Sequence, residues 1–295
     1  MDKLRALTFF ARAAECGSFT AAAKALDVVP SALSKAITAL EQDIGFTLFH
    51  RSTRRLVLTE EGEAYYTRCR QTLAELEDAE TIARGGSLHP QGTLRVGLHP
   101  ALRALLFSEI GRLLDANPRM KVETLITNSP PALLERGLDV VLSIGPLADS
   151  TLVARRLGEA RLVVCASPDY LRRWGEPKRP RDLSEHRAVI FARPDEEPNT
   201  RWEFTRGKER QLVSVRADMV VRDGVGLVDA AAGGAGVVRP YEAAARAHVA
   251  AGRLTVLMPE WSGPKHSVSA VFAGSRHVPA KVRTFLEFAR AVLGD

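Results

Sequence analysis

Cysteine is scarce in this chain of 295 residues, and no apolar run is long. Cys16, Cys69 and Cys165 are odd in number and far apart, which argues against a disulfide framework and fits a reducing compartment. Nothing approaches the roughly 20 consecutive apolar residues of a membrane span. Near the start, Arg12 cuts the apolar residues 7–11 short, so a signal peptide is not expected either. The seven histidines (His50, His89, His99, His186, His248, His266 and His277) are scattered, with no His-Glu-x-x-His pattern and no paired cysteines at metal-ligand spacing. Residues 224–229 lack the third glycine of a dinucleotide fingerprint, and no Gly-x-Ser-x-Gly elbow occurs. These gaps count against an enzyme, a metal site and a cofactor. Internal repeats and low-complexity tracts are missing as well.

What is present is ordinary in bulk and informative in detail. A hydrophobic fraction of 45% and a charged fraction of 26% describe a soluble globular chain long enough for roughly two domains. The net charge of +6 suggests nucleic acid until its distribution is read. Residues 1–58 hold 8 Lys/Arg against 5 Asp/Glu, residues 59–95 hold 4 against 7, and the remainder carries 29 against 23. Overall basicity therefore does not mark a DNA-binding end. Local order does. Residues 18–26 read as a short helix with a Ser cap, residues 27–29 interrupt it, and Pro30 opens a second helix. Two helices joined by about three residues form a helix-turn-helix, whose second helix can enter the DNA major groove.

The surrounding pattern fills out that module. Leu4, Leu7, Phe10, Ala11 and Ala14 recur at helical spacing, and Gly17 ends that helix. In the helix opened by Pro30, Leu33, Ile37, Leu40 and Ile44 share one face, leaving Ser31, Ser34, Lys35 and Thr38 on the other. Residues 46–49 and 55–58 alternate like two short strands around a basic turn containing His50, Arg51, Arg54 and Arg55, which predicts a wing. Thr59 then caps a long helix in which Tyr65, Cys69, Thr72, Leu76, Ala79 and Ala83 alternate steps of four and three. That spacing is read as a dimer seam, the alternative being a single helix packed on its own domain. After a loose Gly/Ser and Pro/Gly hinge, strands at 94–96, 122–126, 140–144, 162–166, 189–191, 236–238 and 268–272 alternate with helices at 101–115, 130–136, near 226–232 and at 279–293. The alternation predicts a mainly parallel α/β sheet.

The order of these parts resembles a LysR-type transcriptional regulator over essentially the whole chain. The most specific stretches are residues 10–23, 30–37, Leu40-Glu41, Gly45, Leu48-Phe49-His50-Arg51 and residues 58–62, followed by residues 139–145, 165–171 and the turn at Gly236. Two positions depart from the family pattern. Asp27 stands where Gly is frequent, and Asp tolerates left-handed geometry better than most residues. Val29 stands where a capping Ser is usual, which removes one side-chain cap from the reading helix.

The resemblance implies an N-terminal all-α winged helix-turn-helix over residues 1–58, a linker and dimerisation helix over 59–88, and a C-terminal α/β two-lobed, periplasmic-binding-protein-like effector domain over 89–295. Lobe 1 is expected at about 89–164 and 268–295, and lobe 2 at about 165–267. The expected contacts are Ser31, Ser34, Lys35 and Thr38 facing the major groove, Thr20 and the Pro30–Ser31 backbone holding phosphates, and Arg51 and Arg54 gripping the flanking backbone or minor groove. The resemblance places an effector at helix N-termini carrying His99, Pro100 and Ala101, Asn128 and Ser129, Gly145, and Arg222 and Asp223, with Arg201 and Arg239 turned inward. The basic lining points to an anionic effector. Expected partners are double-stranded DNA with an interrupted palindrome, a small-molecule effector, a homodimer through the linker helix and a homotetramer built from it, with RNA polymerase as a further contact. The expected location is cytoplasmic, on the nucleoid. The competing readings are an enzyme, a small-molecule-binding protein and an architectural DNA binder without effector control.

Overall fold

The computed structural model describes residues 2–50, 56–83, 89–148, 150, 152–193, 196–261, 263–274 and 278–294. Helix α1 (Lys3–Cys16) starts where the Asp2 carboxylate accepts the Arg5 N–H and stops at Gly17, whose φ of 58° suits a residue without Cβ. Helix α2 (Phe19–Ala25) is capped by Ser18. The turn after it holds Asp27 at φ 53°, the left-handed geometry that its side chain tolerates. Helix α3 (Pro30–Ile44) opens on Pro30, and its N-cap Val29 makes no side-chain cap. Strands β1 (Phe49–His50) and β2 (Val57–Leu58) pair antiparallel as the stem of the wing, and helix α4 (Glu60–Ala83) follows. Phe9, Phe10, Leu33, Ile37, Leu40, Leu48, Phe49 and Cys69 close one apolar core around these elements.

The next elements are β3 (Gly92–Leu98), α5 (Arg103–Ala116), β4 (Met120–Ile126), α6 (Ala132–Glu135), β5 (Val140–Ile144) and β6 (Leu152–Arg161). They are followed by β7 (Val164–Ala166), α7 (Pro168–Trp174), β8 (Arg187–Phe191), β9 (Arg201–Arg206), β10 (Glu209–Ser214) and β11 (Arg216–Val221). The chain closes with α8 (Gly224–Ala232), α9 (Glu242–Ala250), β12 (Thr255–Leu257), β13 (Lys265–Ala273) and α10 (Ala280–Leu293).

Lobe 1 is a five-stranded sheet in the order β4-β3-β5-β13-β6. Strands β4, β3 and β5 run parallel, whereas β13 runs antiparallel to both β5 and β6. The sheet is therefore mixed rather than mainly parallel, because the strand that returns from lobe 2 enters from the opposite end. In lobe 2, β8 and β11 are parallel while β7 pairs antiparallel with β12 and β9 with β10; bridges at residues 237 and 238 join β8 to β7. The chain leaves the first sheet after Arg161 and rejoins it at Lys265, a few residues before the sequence-based boundaries. Separate apolar cores fill the two lobes.

The seam expected along α4 divides in two. Tyr65 and Cys69 pack into the core of the first module, so this part of the helix serves its own domain. Thr72, Leu76 and Ala79 are exposed on the following turns.

Candidate DNA-reading face and effector cleft

In α3 the buried Leu33, Ile37 and Leu40 turn toward the core, and Pro30, Ser31, Lys35 and Thr38 stand exposed on the far side with Ser34 half-buried between them. Thr20 on α2 is exposed as well. The structure thus collects the expected contact residues of both helices on solvent-facing surface. Arg51 and Arg54 lie outside the described residues.

Two residues outside the expected contact set hold the wing against the reading helix. Glu41 of α3 accepts the N–H of Leu48 at 2.7 Å and of Phe49 at 3.4 Å. Thr59 donates its hydroxyl to the Thr47 carbonyl at 2.7 Å and accepts the Gly62 N–H at 2.9 Å. Gly62 lies so close to the Leu48 carbonyl that a Cβ would sit 2.1 Å from its oxygen. The run from Leu58 to Gly62 and the Leu40-Glu41 pair were visible as motif, but their role depends on contacts across the fold.

Between the two lobes lies a cavity of 390 Å³, within the usual size of small-ligand sites. His99, Pro100, Ala101 and Asn128 line it, as expected, and so does Arg239. Its remaining wall includes Val189, Phe191, Trp202, Leu227, Tyr241 and His266, which sequence reasoning missed. Trp202 carries a usable signal: it alternates with exposed residues along β9 and is buried. Tyr241 and His266 belong to different segments, and only the fold brings the Tyr241 hydroxyl to 2.8 Å from His266 Nδ1.

Several expected cleft residues do not form its wall. Arg201 is exposed on β9, where side chains alternate, so it faces away from its lining neighbour Trp202. Gly145 continues beyond the lining Ile144 and donates its N–H to the Ser267 carbonyl. Ser129 turns its N–H to the Thr127 hydroxyl. Arg222 spends its guanidinium on backbone carbonyls of Arg193 and Glu196. Asp223 caps α8, its carboxylate accepting the N–H groups of Val225 and Gly226.

That last contact corrects the electrostatic picture as well. The N-terminus of α8 already has a carboxylate on it and offers no site for a second anion. His99 Nδ1 likewise accepts the Ala101 N–H at 3.1 Å, and Asn128 Oδ1 accepts from Ser143 Oγ and the Ile144 N–H. The α8 terminus and the turn after His99 are thus satisfied from within the protein, and Asn128 serves strand β5 rather than a helix end.

Three charged residues line the cleft: Arg193 and Glu196 pair with each other at 2.7 Å, whereas Arg239 has no carboxylate partner among the described residues. The Arg239 guanidinium lies 5.0 Å over the Trp202 ring and 6.0 Å from that of Phe204, and it donates to the Glu203 carbonyl at 3.3 Å. Burial disfavours its charged form and lowers its pKa to about 10, so it remains a cation at neutral pH. Burial also lowers His99, to about 4, with the nearby Arg193 adding to the effect. His99 is therefore neutral at pH 7. Because Nδ1 accepts from Ala101, the proton resides on Nε2, and the ring has a donor left to offer. The Tyr241 hydroxyl is held above its usual range by burial.

Among the described residues no group of three His, Cys, Asp or Glu could hold a metal ion, and no helix is long and apolar enough to cross a membrane. The parts define a DNA-binding module of winged helix-turn-helix type joined by one long helix to a two-lobed small-molecule-binding domain. Comparison with known proteins finds the same two parts. Residues 4–63 match the bacterial regulatory helix-turn-helix proteins of the lysR family, and residues 87–294 match the LysR substrate binding domain. The chain belongs to the LysR family of transcriptional regulators.

It is 34% identical to the HTH-type transcriptional activator AaeR of Escherichia coli K12 over 97% of this chain and 92% of that protein. It is 31% identical to an HTH-type transcriptional repressor of Pseudomonas aeruginosa over 100% of this chain and 93% of that one. The structure of CrgA, a LysR-type transcriptional regulator from Neisseria meningitidis, superposes with a TM-score of 0.62 at 30% identity, covering 99% of both chains. The protein is a regulator rather than an enzyme: it binds DNA and a small-molecule effector, and it forms oligomers.

Proposed function

We propose that the effector is a small organic acid whose carboxylate pairs with Arg239 and whose apolar body lies against Trp202, Phe191, Val189 and Leu227. The observation that carries this reading is Arg239 itself. It is a desolvated cation in a largely apolar cleft, and among the described residues its hydrogen bond is to a neutral carbonyl. Such a cation gains most from a carboxylate, since charge-assisted hydrogen bonds are shorter and roughly twice as strong as neutral ones. Neutral His99 supplies a directional donor or a ring edge beside it, and Asn128 fixes the neighbouring wall. Calorimetric titration with a panel of aromatic and aliphatic carboxylic acids and their neutral amides tests the reading. Saturable binding of acids with no binding of the amides supports it, and binding confined to neutral compounds contradicts it.

On DNA, Ser31, Ser34, Lys35 and Thr38 read the major groove, Thr20 and the Pro30–Ser31 backbone hold phosphates, and Arg51 and Arg54 grip the flanking strand. A single such helix covers about half a turn of DNA, so a twofold pair requires an interrupted palindrome with half-sites about one helical turn apart. The exposed Thr72, Leu76 and Ala79 on α4 support a dimer contact along the second half of that helix, with a tetramer built from two dimers, acting in the cytoplasm on the nucleoid and in contact with RNA polymerase. The ligand acts by population shift: it favours one arrangement of the subunits and so changes the spacing of the reading helices and the bend of the DNA.

A further inference from the structure

The linker helix is tied to lobe 1 by a buried ion cluster centred on Asp139. Arg70 of α4 donates through Nη2 to the Gly137 carbonyl at 2.8 Å and to Asp139 Oδ1 at 2.9 Å. Lys281, in the first turn of α10, donates to Asp139 Oδ2 at 3.1 Å and to the Thr93 carbonyl at 2.7 Å. The Arg95 N–H donates to the same Oδ2 at 2.7 Å. The side chains of Arg70, Asp139 and Lys281 are 11%, 8% and 12% exposed, so the cluster is largely withdrawn from water and little screened by salt. Beside it, a cavity of 280 Å³ lined by Arg12, Glu15, Arg70, Thr93 and Lys281 separates α1 from lobe 1. The junction of the two modules is therefore open around the cluster, and charge rather than close apolar packing fixes their contact there.

Asp139 immediately precedes β5, a strand whose five residues are all buried and which lies between β3 and β13. The far end of that strand is Ile144, a residue of the cleft wall, and its N–H is held by Asn128, another residue of that wall. One central strand, about 16 Å long from Asp139 to Ile144 at the usual rise, thus has the effector cleft at one end and the linker helix at the other. A strand hydrogen-bonded on both edges moves as a unit more readily than it bends.

We propose that Asp139 is the positioning residue through which lobe 1 holds the linker helix, and that β5 carries the state of the cleft to it. The proposal rests on reading the cleft as the effector site. The Asp139 cluster sets the direction in which α4 presents the reading helix. A ligand that changes the Asn128–Ile144 contact displaces β5 and shifts Asp139 against Arg70. Among the described residues Arg70 and Asn128 share no hydrogen-bond partner, so coupling between them is indirect, and β5 joins their partners Asp139 and Ile144 along one strand.

The test is a double-mutant cycle that needs no effector. Full-length protein, Asn128→Ala, Arg70→Met and the double variant are titrated by fluorescence anisotropy with a duplex selected from a randomised pool by the unaltered protein. The expected result is that Asn128→Ala alters DNA affinity in the presence of Arg70, and that the two effects depart from additivity by at least about fivefold. Asn128→Asp, which keeps the acceptor oxygen, should restore the unaltered affinity. Should Arg70→Met fail to fold, Arg70→Lys, which keeps the charge but loses the paired donors, takes its place. Additive effects, or an Asn128→Ala protein with unchanged DNA affinity, overturn the proposal. Non-additive effects in a protein whose unaltered form binds none of the acids would overturn the acid reading alone.

Discussion

The guanidinium of Arg239 stands 5.0 Å over the ring of Trp202 in the wall of the interlobe cleft, with a backbone carbonyl as its hydrogen-bond acceptor. That stack holds the cation against the ring, and in the proposed function the remaining donors meet a carboxylate. Arg239→Met keeps most of the stem and removes the charge. Binding of a cleft acid should weaken at least about tenfold, since hydrogen bonds to charged groups contribute about 1.5–3 kcal/mol. Calorimetry with the acid identified in the panel measures it, and an unchanged Kd would remove Arg239 from the site.

The acid limb of stability should carry the mark of His99. Its folded pKa, about 4, lies below the ordinary histidine value of 6.5, because burial disfavours the imidazolium. Below pH 6.5 the unfolded chain takes up a proton that the folded chain refuses, so unfolding is favoured as pH falls from about 6.5 to about 4, and the loss levels off below that. His186 is lowered by burial too and acts in the same direction. The His99 share is at most about 3 kcal/mol. Urea unfolding at a series of pH values should show a shallower decline for His99→Asn, which can still accept the Ala101 N–H.

The wing should depend on a missing side chain. In a helix interior Gly→Ala ordinarily stabilises by about 1 kcal/mol, but a Cβ on Gly62 would stand 2.1 Å from the Leu48 carbonyl oxygen. Gly62→Ala must push α4 away from the start of the wing, and overpacking of this kind costs about 1–3 kcal/mol. A lowered thermal midpoint together with weaker DNA binding is expected. A raised midpoint would show that the contact is not obligatory.

Lys35 is exposed on the free face of α3, one turn beyond Ser31. Lys35→Ala should weaken binding to a selected duplex by about 1–3 kcal/mol and relax the preference at a single base position. Repeating the selection with the variant reads out that position. An identical preferred sequence and affinity would place Lys35 outside the groove.

The cysteines should differ sharply in reactivity. Cys16 is exposed, whereas burial raises the Cys69 thiol to about 11 and the Cys165 thiol to about 12. Brief iodoacetamide treatment at pH 7, read by mass spectrometry, should label Cys16 alone.

Much of the first module was legible because its signals are local. A Ser cap at residue 18, a Pro at the first position of α3, glycines at 17 and 45 and a clean apolar stripe each act within one turn of chain. The cleft was less legible because its chemistry depends on distant pairings. Asp223 was read as a cleft residue, yet its carboxylate fills the helix terminus that was expected to bind the anion. Tyr241 and His266 meet only through the fold. Strand β6 was missed altogether: its ten residues have two buried positions, and Arg155, Arg156, Glu159 and Arg161 give it the charged surface that protects a sheet edge. Cys69 shows the opposite failure, since a heptad-like spacing described a seam that in its first half is the core of the module itself.

Regulation, in the proposed function, comes down to a small acid in the interlobe cleft changing how the paired reading helices sit on DNA. The most direct measurement is a nuclease footprint of the full-length protein on a selected duplex, with and without a saturating acid shown by calorimetry to bind through Arg239. A shift or contraction of the protected region, with altered cleavage between the half-sites, is the predicted result; superimposable footprints in the two conditions would contradict it.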